Sequence, residues 1–280
     1  MIQAKKSEGL DAVIRNFTVV RPEENRPLTV QGSSVLSALI QEYKQLISRP
    51  ARDHSWVQIE ELYRLTEHID VILTPEEIRT LTPVILFTEG ESDLGFRGVF
   101  LNRLIQNSYN QGYNNFNVDL LTIATLHVGS YLNAEEKRPL RLSVKNGKGF
   151  LYAAHAHNLH LDVNIEVFGY AHGVKNSRIT IEGNAATGLG NDSYRTTFQV
   201  KGNVYKDLAF GAQESTYIID GDFKVGPDSR YSLNSARQCI FKARKMETAQ
   251  KLSDHLIRGK DNQVYLLNPD GTEQLMRDFQ

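Results

Sequence analysis

Three glycines set the frame for this chain. Gly183, Gly202 and Gly221 each close a short alternating run, and successive glycines stand 19 residues apart. The runs are Ile179-Thr-Ile-Glu-Gly183, Phe198-Gln-Val-Lys-Gly202 and Tyr217-Ile-Ile-Asp-Gly221. A fixed period of about 20 residues marks a solenoid, because no single repeat buries its own apolar face and each must stack on the last. That requirement constrains the fold more than any other feature of the sequence.

Aligned on the glycines, the columns each acquire a physical reason. Ile179 and Ile181, Phe198 and Val200, and Tyr217 and Ile219 alternate with polar residues and are expected to point inward. Glu182, Lys201 and Asp220 fall in one outward column, an acid–base–acid ladder that disfavours a slipped register. The glycines follow, for a bend or a close backbone approach. Asn184, Asn203 and Asp222 come next, types that tolerate turns and bond neighbouring backbone. Ile165-Glu-Val-Phe-Gly169 reads as an irregular first coil and Tyr231-Ser-Leu-Asn-Ser235 as a degraded last one.

The stretch Gly183-Asn-Ala-Ala-Thr-Gly188-Leu-Gly190, with Phe198-Gln-Val-Lys-Gly202-Asn203 after it, carries a family resemblance. Residues ~160–235 resemble the glycine-patterned β-helix found at the C-terminus of the large glutamate synthase subunit and in the β-helical subunit of formylmethanofuran dehydrogenase. The resemblance implies a right-handed parallel β-helix that packs against catalytic domains or subunits and carries no chemistry itself.

Around the solenoid the pattern changes. Val13–Val20 reads as a strand, broken by Pro22 and Pro27. Helices are expected from Ser33-Ser34 to Pro50, from Ser55 onward, and from Thr74-Pro75-Glu76-Glu77, where Thr74 caps and Pro75 takes the first turn. Glu89–Asp93 reads as a loop, Val99–Ile105 as a further helix, and Asn107–Asn117 as an exposed polar loop. Val118–Leu132 fits strand or helix equally. From Pro139 the period becomes two, and the run Phe150–Phe168 is long enough to hide a turn. Residues 243–258 read as a helix with Met246, Ala249, Leu252 and Leu256 on one side, followed by a hairpin around Asn268-Pro269-Asp270-Gly271. The expected fold is α+β: a helical N-terminal domain over 1–138, a short parallel β-helix over 139–242, and a capping helix and hairpin over 243–280.

Composition narrows the function classes. With 280 residues and 40% hydrophobic content the chain can bury a sizeable core, while a net charge of −1 supplies no basic footprint for nucleic acid or an anionic membrane. The single cysteine, Cys239, forms no internal disulfide. No secretory h-region or membrane-length apolar run is evident, and a cytoplasmic protein is expected.

Two groups of residues suggest chemistry. His155 and His157 would share a face of a strand and offer two imidazoles to a divalent metal, with His160 on the other side and His172 further on. Glu166, Glu182, Asp220 and Asp222 supply carboxylates for glycan processing, though Lys201 between Glu182 and Asp220 suits a salt ladder better. Dinucleotide, Walker-type and nucleophile-elbow motifs are missing, so no cofactor is predicted. The leading reading is a non-catalytic structural or interaction module that meets a protein partner or its own copies. The alternative is a metal-dependent or glycan-binding protein.

Overall fold

A computed structural model describes residues 34–47, 56–87, 94–121, 127–147, 150–165, 167–224, 233, 235–256 and 261–279. The expected strand at Val13–Val20, the Glu89–Asp93 loop and most of Tyr231–Ser235 lie outside these residues. The chain divides into two compact units, Met1–Asp119 and Leu120–Gln280.

The first unit contains helices α1 (Ser34–Ile47), α2 (Trp56–Thr66), α3 (Pro75–Phe87) and α4 (Leu94–Asn110), with strand β1 (Asn115–Asp119). Helix α3 starts as its sequence requires. The Thr74 amide donates to Glu77 Oε2 at 2.7 Å and the Glu77 amide donates to Thr74 Oγ1 at 3.2 Å, a reciprocal capping box. Tyr43 packs against Phe96 and Phe100, with ring centroids 6.0 and 4.9 Å away. The polar stretch from Asn107 departs from expectation. Helix α4 continues to Asn110, and Asn107 and Ser108 are buried. Asn107 donates to the Ile69 carbonyl at 2.8 Å, and Ser108 Oγ accepts the Leu73 amide at 3.2 Å. These polar residues face inward because the extended 69–74 segment has backbone groups that need partners.

The second unit is a parallel β-solenoid. Its main sheet runs β2 (Leu140–Lys145), β4 (Leu159–Asn164), β6 (Arg178–Ile181), β9 (Thr197–Val200), β11 (Thr216–Ile219), β13 (Ile240–Ala243) and β14 (Asn262–Leu267). All of these pair in parallel, and β15 (Glu273–Phe279) then closes the sheet antiparallel to β14. A second sheet orders β12 (Phe223–Lys224), β10 (Val204–Tyr205), β7 (Asn184–Ala185), β5 (Val167–His172) and β3 (Phe150–Ala154), with β8 (Leu189–Asn191) also pairing β5. Single bridges link Asn133, His157, Lys175, Tyr194, Gln213 and Arg237 in a third column.

Register places Leu142, Leu161, Ile179, Phe198, Tyr217, Phe241 and Val264 in one inward column, all buried. Within it Phe198, Tyr217 and Phe241 stack with centroids 5.1 Å apart at each step and planes 10° and 11° from parallel. The two sheets therefore share an apolar core one side chain deep from each face.

The corner before each main-sheet strand from β4 to β14 is built without glycine. Asn158, Asn176, Arg195, Glu214, Gln238 and Asp261 all adopt φ of 48–57°. Immediately after most of them comes a small buried polar side chain: Ser177, Thr196, Ser215, Cys239 and Asn262. The Leu159 amide donates to Ser177 Oγ at 2.9 Å, the Thr196 amide to Ser215 Oγ at 3.3 Å, and the Cys239 amide to Asn262 Oδ1 at 2.8 Å. The corner turns backbone donors away from the ladder, and the next coil's side chain accepts them.

The long run from Phe150 does contain a turn, a corner at 155–158 that separates β3 from β4. Two readings are corrected. Ile165–Gly169 is not the first coil, since Leu161 and Val163 pair with Ile179 and Ile181 while β5 enters the second sheet. The C-terminal helix, α5, spans Met246–His255; Ala249, Leu252 and Leu256 are buried, whereas Met246 is 53% exposed. The strand before it, β13, is one more coil, and so is the first strand of the hairpin.

Candidate functional site

The glycine columns hold the coils at close quarters. A Cβ on Gly202 would sit 2.5 Å from the Gly183 carbonyl oxygen, and one on Gly221 2.3 Å from that of Gly202. Neither glycine has a positive φ, so close approach is what selects it. The Asn203 amide donates to Asn184 Oδ1 and the Asp222 amide to Asn203 Oδ1, both at 2.8 Å. This ladder ends where Lys245 Nζ meets Asp222 Oδ1 at 2.7 Å. The hydrogen bond from Lys245 holds the Asp222 carboxyl below the usual carboxylate range.

The outward column continues one step beyond the expected acid–base–acid pattern. Lys201 Nζ lies 3.8 Å from Asp220 Oδ2, and Arg244 Nε lies 2.8 Å from Asp220 Oδ1. Glu182 stands at the head of the column. Asp220, considered above as an acid–base residue, is thus part of a salt ladder between Lys201 and Arg244, and the Lys245 contact at Asp222 favours its ionised form over a proton donor. The Glu166 side chain lies outside the described residues.

The histidines meet different neighbours from those alternation implies. His155 occupies a corner, with φ 52°, so it does not alternate with His157 along a strand. Ala156 between them is buried, and His157 belongs to the bridge column beside Lys175. Burial first, and then the Lys175 charge, push the His157 imidazole below its ordinary range.

Stacking brings His155 to residues far away in sequence. Its ring lies 5.1 Å from that of Tyr131 and meets His172 edge-on, also at 5.1 Å. His172 in turn stacks on Tyr170 at 5.8 Å, and its buried Nδ1 approaches Asp192 Oδ2 at 3.3 Å. This approach is close enough for ion pairing, although it is off the line of a good hydrogen bond. Gly173 leaves the space His155 fills, since a Cβ there would sit 2.7 Å from His155 Nδ1. The corner is a shelf of two phenols and two imidazoles with a carboxylate at its end. No nearby motif reveals it; the signal is the column 131, 155, 173, 192, which appears only once the coils are aligned.

Cys239 is fully buried, and burial pushes its thiol up to about 11, so it is a packed thiol and not a nucleophile. Among the described residues, no three or more His, Cys, Asp or Glu side chains converge as a metal site, and no helix is long and apolar enough to cross a membrane. Comparison with protein-family models, curated proteins and solved structures gives no match.

Proposed function

We propose that this protein is a non-catalytic structural or interaction module, a cytoplasmic β-solenoid that presents a rigid face to another protein or to a second copy. The observation that carries this reading is how the repeat uses its polar residues. Asn184, Asn203, Asp220 and Asp222 are each engaged from coil to coil or with the basic residues that end the ladders. A solenoid whose polar columns serve register is a stiff platform, and the resemblance noted above points to the same use. The test is solution mass by light scattering together with metal analysis of the purified protein. A mass well above the 31.7 kDa monomer without stoichiometric metal supports the module. A monomer that captures no partner counts against it.

The imidazole shelf favours a second reading, binding of a divalent metal or a glycan. Aromatic faces and the His172–Asp192 pair supply both stacking surfaces and donors. Replacing the two shelf imidazoles, His155 and His172, together by Ala separates the readings. Loss of stoichiometric metal at unchanged stability supports a metal site, and unchanged metal content removes it.

A further inference from the structure

Two outward columns of the main sheet treat charge differently. Glu182, Lys201, Asp220 and Arg244 alternate in sign, as directly opposed residues in neighbouring strands should. Arg141, His160 and Arg178 do not. Register sets Arg141 opposite His160 and His160 opposite Arg178 on three successive coils, all pointing outward. Adjacent parallel strands lie about 4.8 Å apart, so two permanent cations flank one imidazole. No acid lies within ion-pair distance of either guanidinium among the described residues. Asp162, one column across, is the acid that His160 feels, and it is outweighed. Burial together with both arginines keeps the imidazole below its ordinary range. Two arginine charges held two coils apart on one column with no acid between them repel one another.

We infer that Arg141, His160 and Arg178 form a binding site for a tetrahedral oxyanion of the phosphate class. Register sets the two arginines two coils apart, about 10 Å between their backbones, and side chains of that length can both reach an anion bound over His160. Guanidinium groups grip oxyanions with paired N–H donors, and a tetrahedral ion with three free oxygens meets three donors where a planar carboxylate meets two. This site is on a different face from the imidazole shelf and does not depend on the protein being an interaction module.

The test follows the His160 ring resonances by NMR, assigned by their loss in His160→Gln. Inorganic phosphate and glycerol phosphate are titrated at fixed ionic strength, with formate as the planar control. The expected result is a saturable shift of His160 with phosphate, a rise in its titration midpoint as the anion binds, and little response to formate. Binding of both phosphates assigns a phosphomonoester site, and binding of the inorganic ion alone assigns a free-ion site. Arg141→Gln and Arg178→Gln should each weaken binding about tenfold while leaving the melting temperature equal or higher, since each removes repulsion. No saturation with either phosphate, an equal response to formate, or unchanged affinity in the double Arg→Gln variant overturns the site.

Discussion

Gly202→Ala tests the central claim about the glycine columns, that they are selected by proximity and not by turn conformation. The new Cβ would lie 2.5 Å from the Gly183 oxygen and 2.6 Å from Asn184 Oδ1, against a floor of 3.0 Å for real contacts. The two coils must therefore part by about half an ångström, and the obstacle is backbone, which cannot swing aside. Two hydrogen bonds span that gap, Gly202 N–H to the Gly183 carbonyl at 3.0 Å and Asn203 N–H to Asn184 Oδ1 at 2.8 Å. Overpacking costs about 1–3 kcal/mol and each weakened hydrogen bond about 1 kcal/mol, so the variant should lose about 3–5 kcal/mol. For a unit of this size that is a fall of about 6–20 °C in melting temperature. Gly271→Ala is the comparison. There φ is +85° and nothing lies within 4 Å, so the loss should be the left-handed strain alone, about 1 kcal/mol. Urea unfolding followed by circular dichroism measures both. If Gly202→Ala proves no less stable than Gly271→Ala, close approach does not explain the column.

Other outcomes follow from the same geometry. Asn184→Ala should cost about 1–2 kcal/mol in urea unfolding, because the Asn203 amide loses its acceptor, and Asn184→Asp, which keeps the oxygen, should lose less than half of that. Tyr217→Phe removes a hydroxyl bonded to the Gly190 carbonyl at 3.0 Å and to Ser193 Oγ at 3.1 Å, for a loss of about 1–2 kcal/mol; Tyr217→Leu should lose about 1–2 kcal/mol more as the ring stack breaks. The Cys239 thiol should resist a thiol reagent at pH 8 until the protein unfolds. Its folded value, about 11, exceeds the ordinary 9.0, so the unfolded chain releases the proton first and stability falls as pH rises from 9 to 11. The fall should reach about 2–3 kcal/mol and vanish in Cys239→Ser, and a slope unchanged by that substitution would assign it elsewhere.

The parts of the fold that were legible in the sequence are those where one residue type does one job at a constant spacing. The apolar pairs from Ile179 to Ile219, the glycines, and the Glu182–Asp220 ladder meet that condition. What stayed hidden had a variable spacing or an ambiguous residue. Ile240–Ala243 repeats Thr216–Ile219 after 24 residues instead of 19, so a fixed period passes over it. Glycine proved a poor anchor at Gly169, because the position aligned with Gly183 is taken by Ile165. The corner residues Asn176, Arg195, Glu214 and Gln238 share a backbone conformation but no side-chain type, and each lies in the tolerated fringe of left-handed space. The candidate sites are legible only through the coil register. Tyr131, His155, His172 and Asp192 are neighbours because coils of unequal length bring them together, and the Arg141–His160–Arg178 column is visible only when β2, β4 and β6 are laid side by side.

The C-terminal closure bears on how the chain is made. Arg244 and Lys245 end the two outer ladders, and Thr248 of α5 accepts the Phe223 amide and donates to the Gly221 carbonyl. Beyond them β15 carries charges and a register shift opposite Val264 and Tyr265, features that blunt a sheet edge. During synthesis the coils are completed in order, and each newly finished coil offers its raw edge to whatever strand arrives next. That edge is closed only when β14 and β15 have both left the ribosome. Until then the growing solenoid is as ready to pair with a neighbouring nascent chain as with its own next coil, which makes the final hairpin the segment that settles whether the product is separate molecules or a tangle.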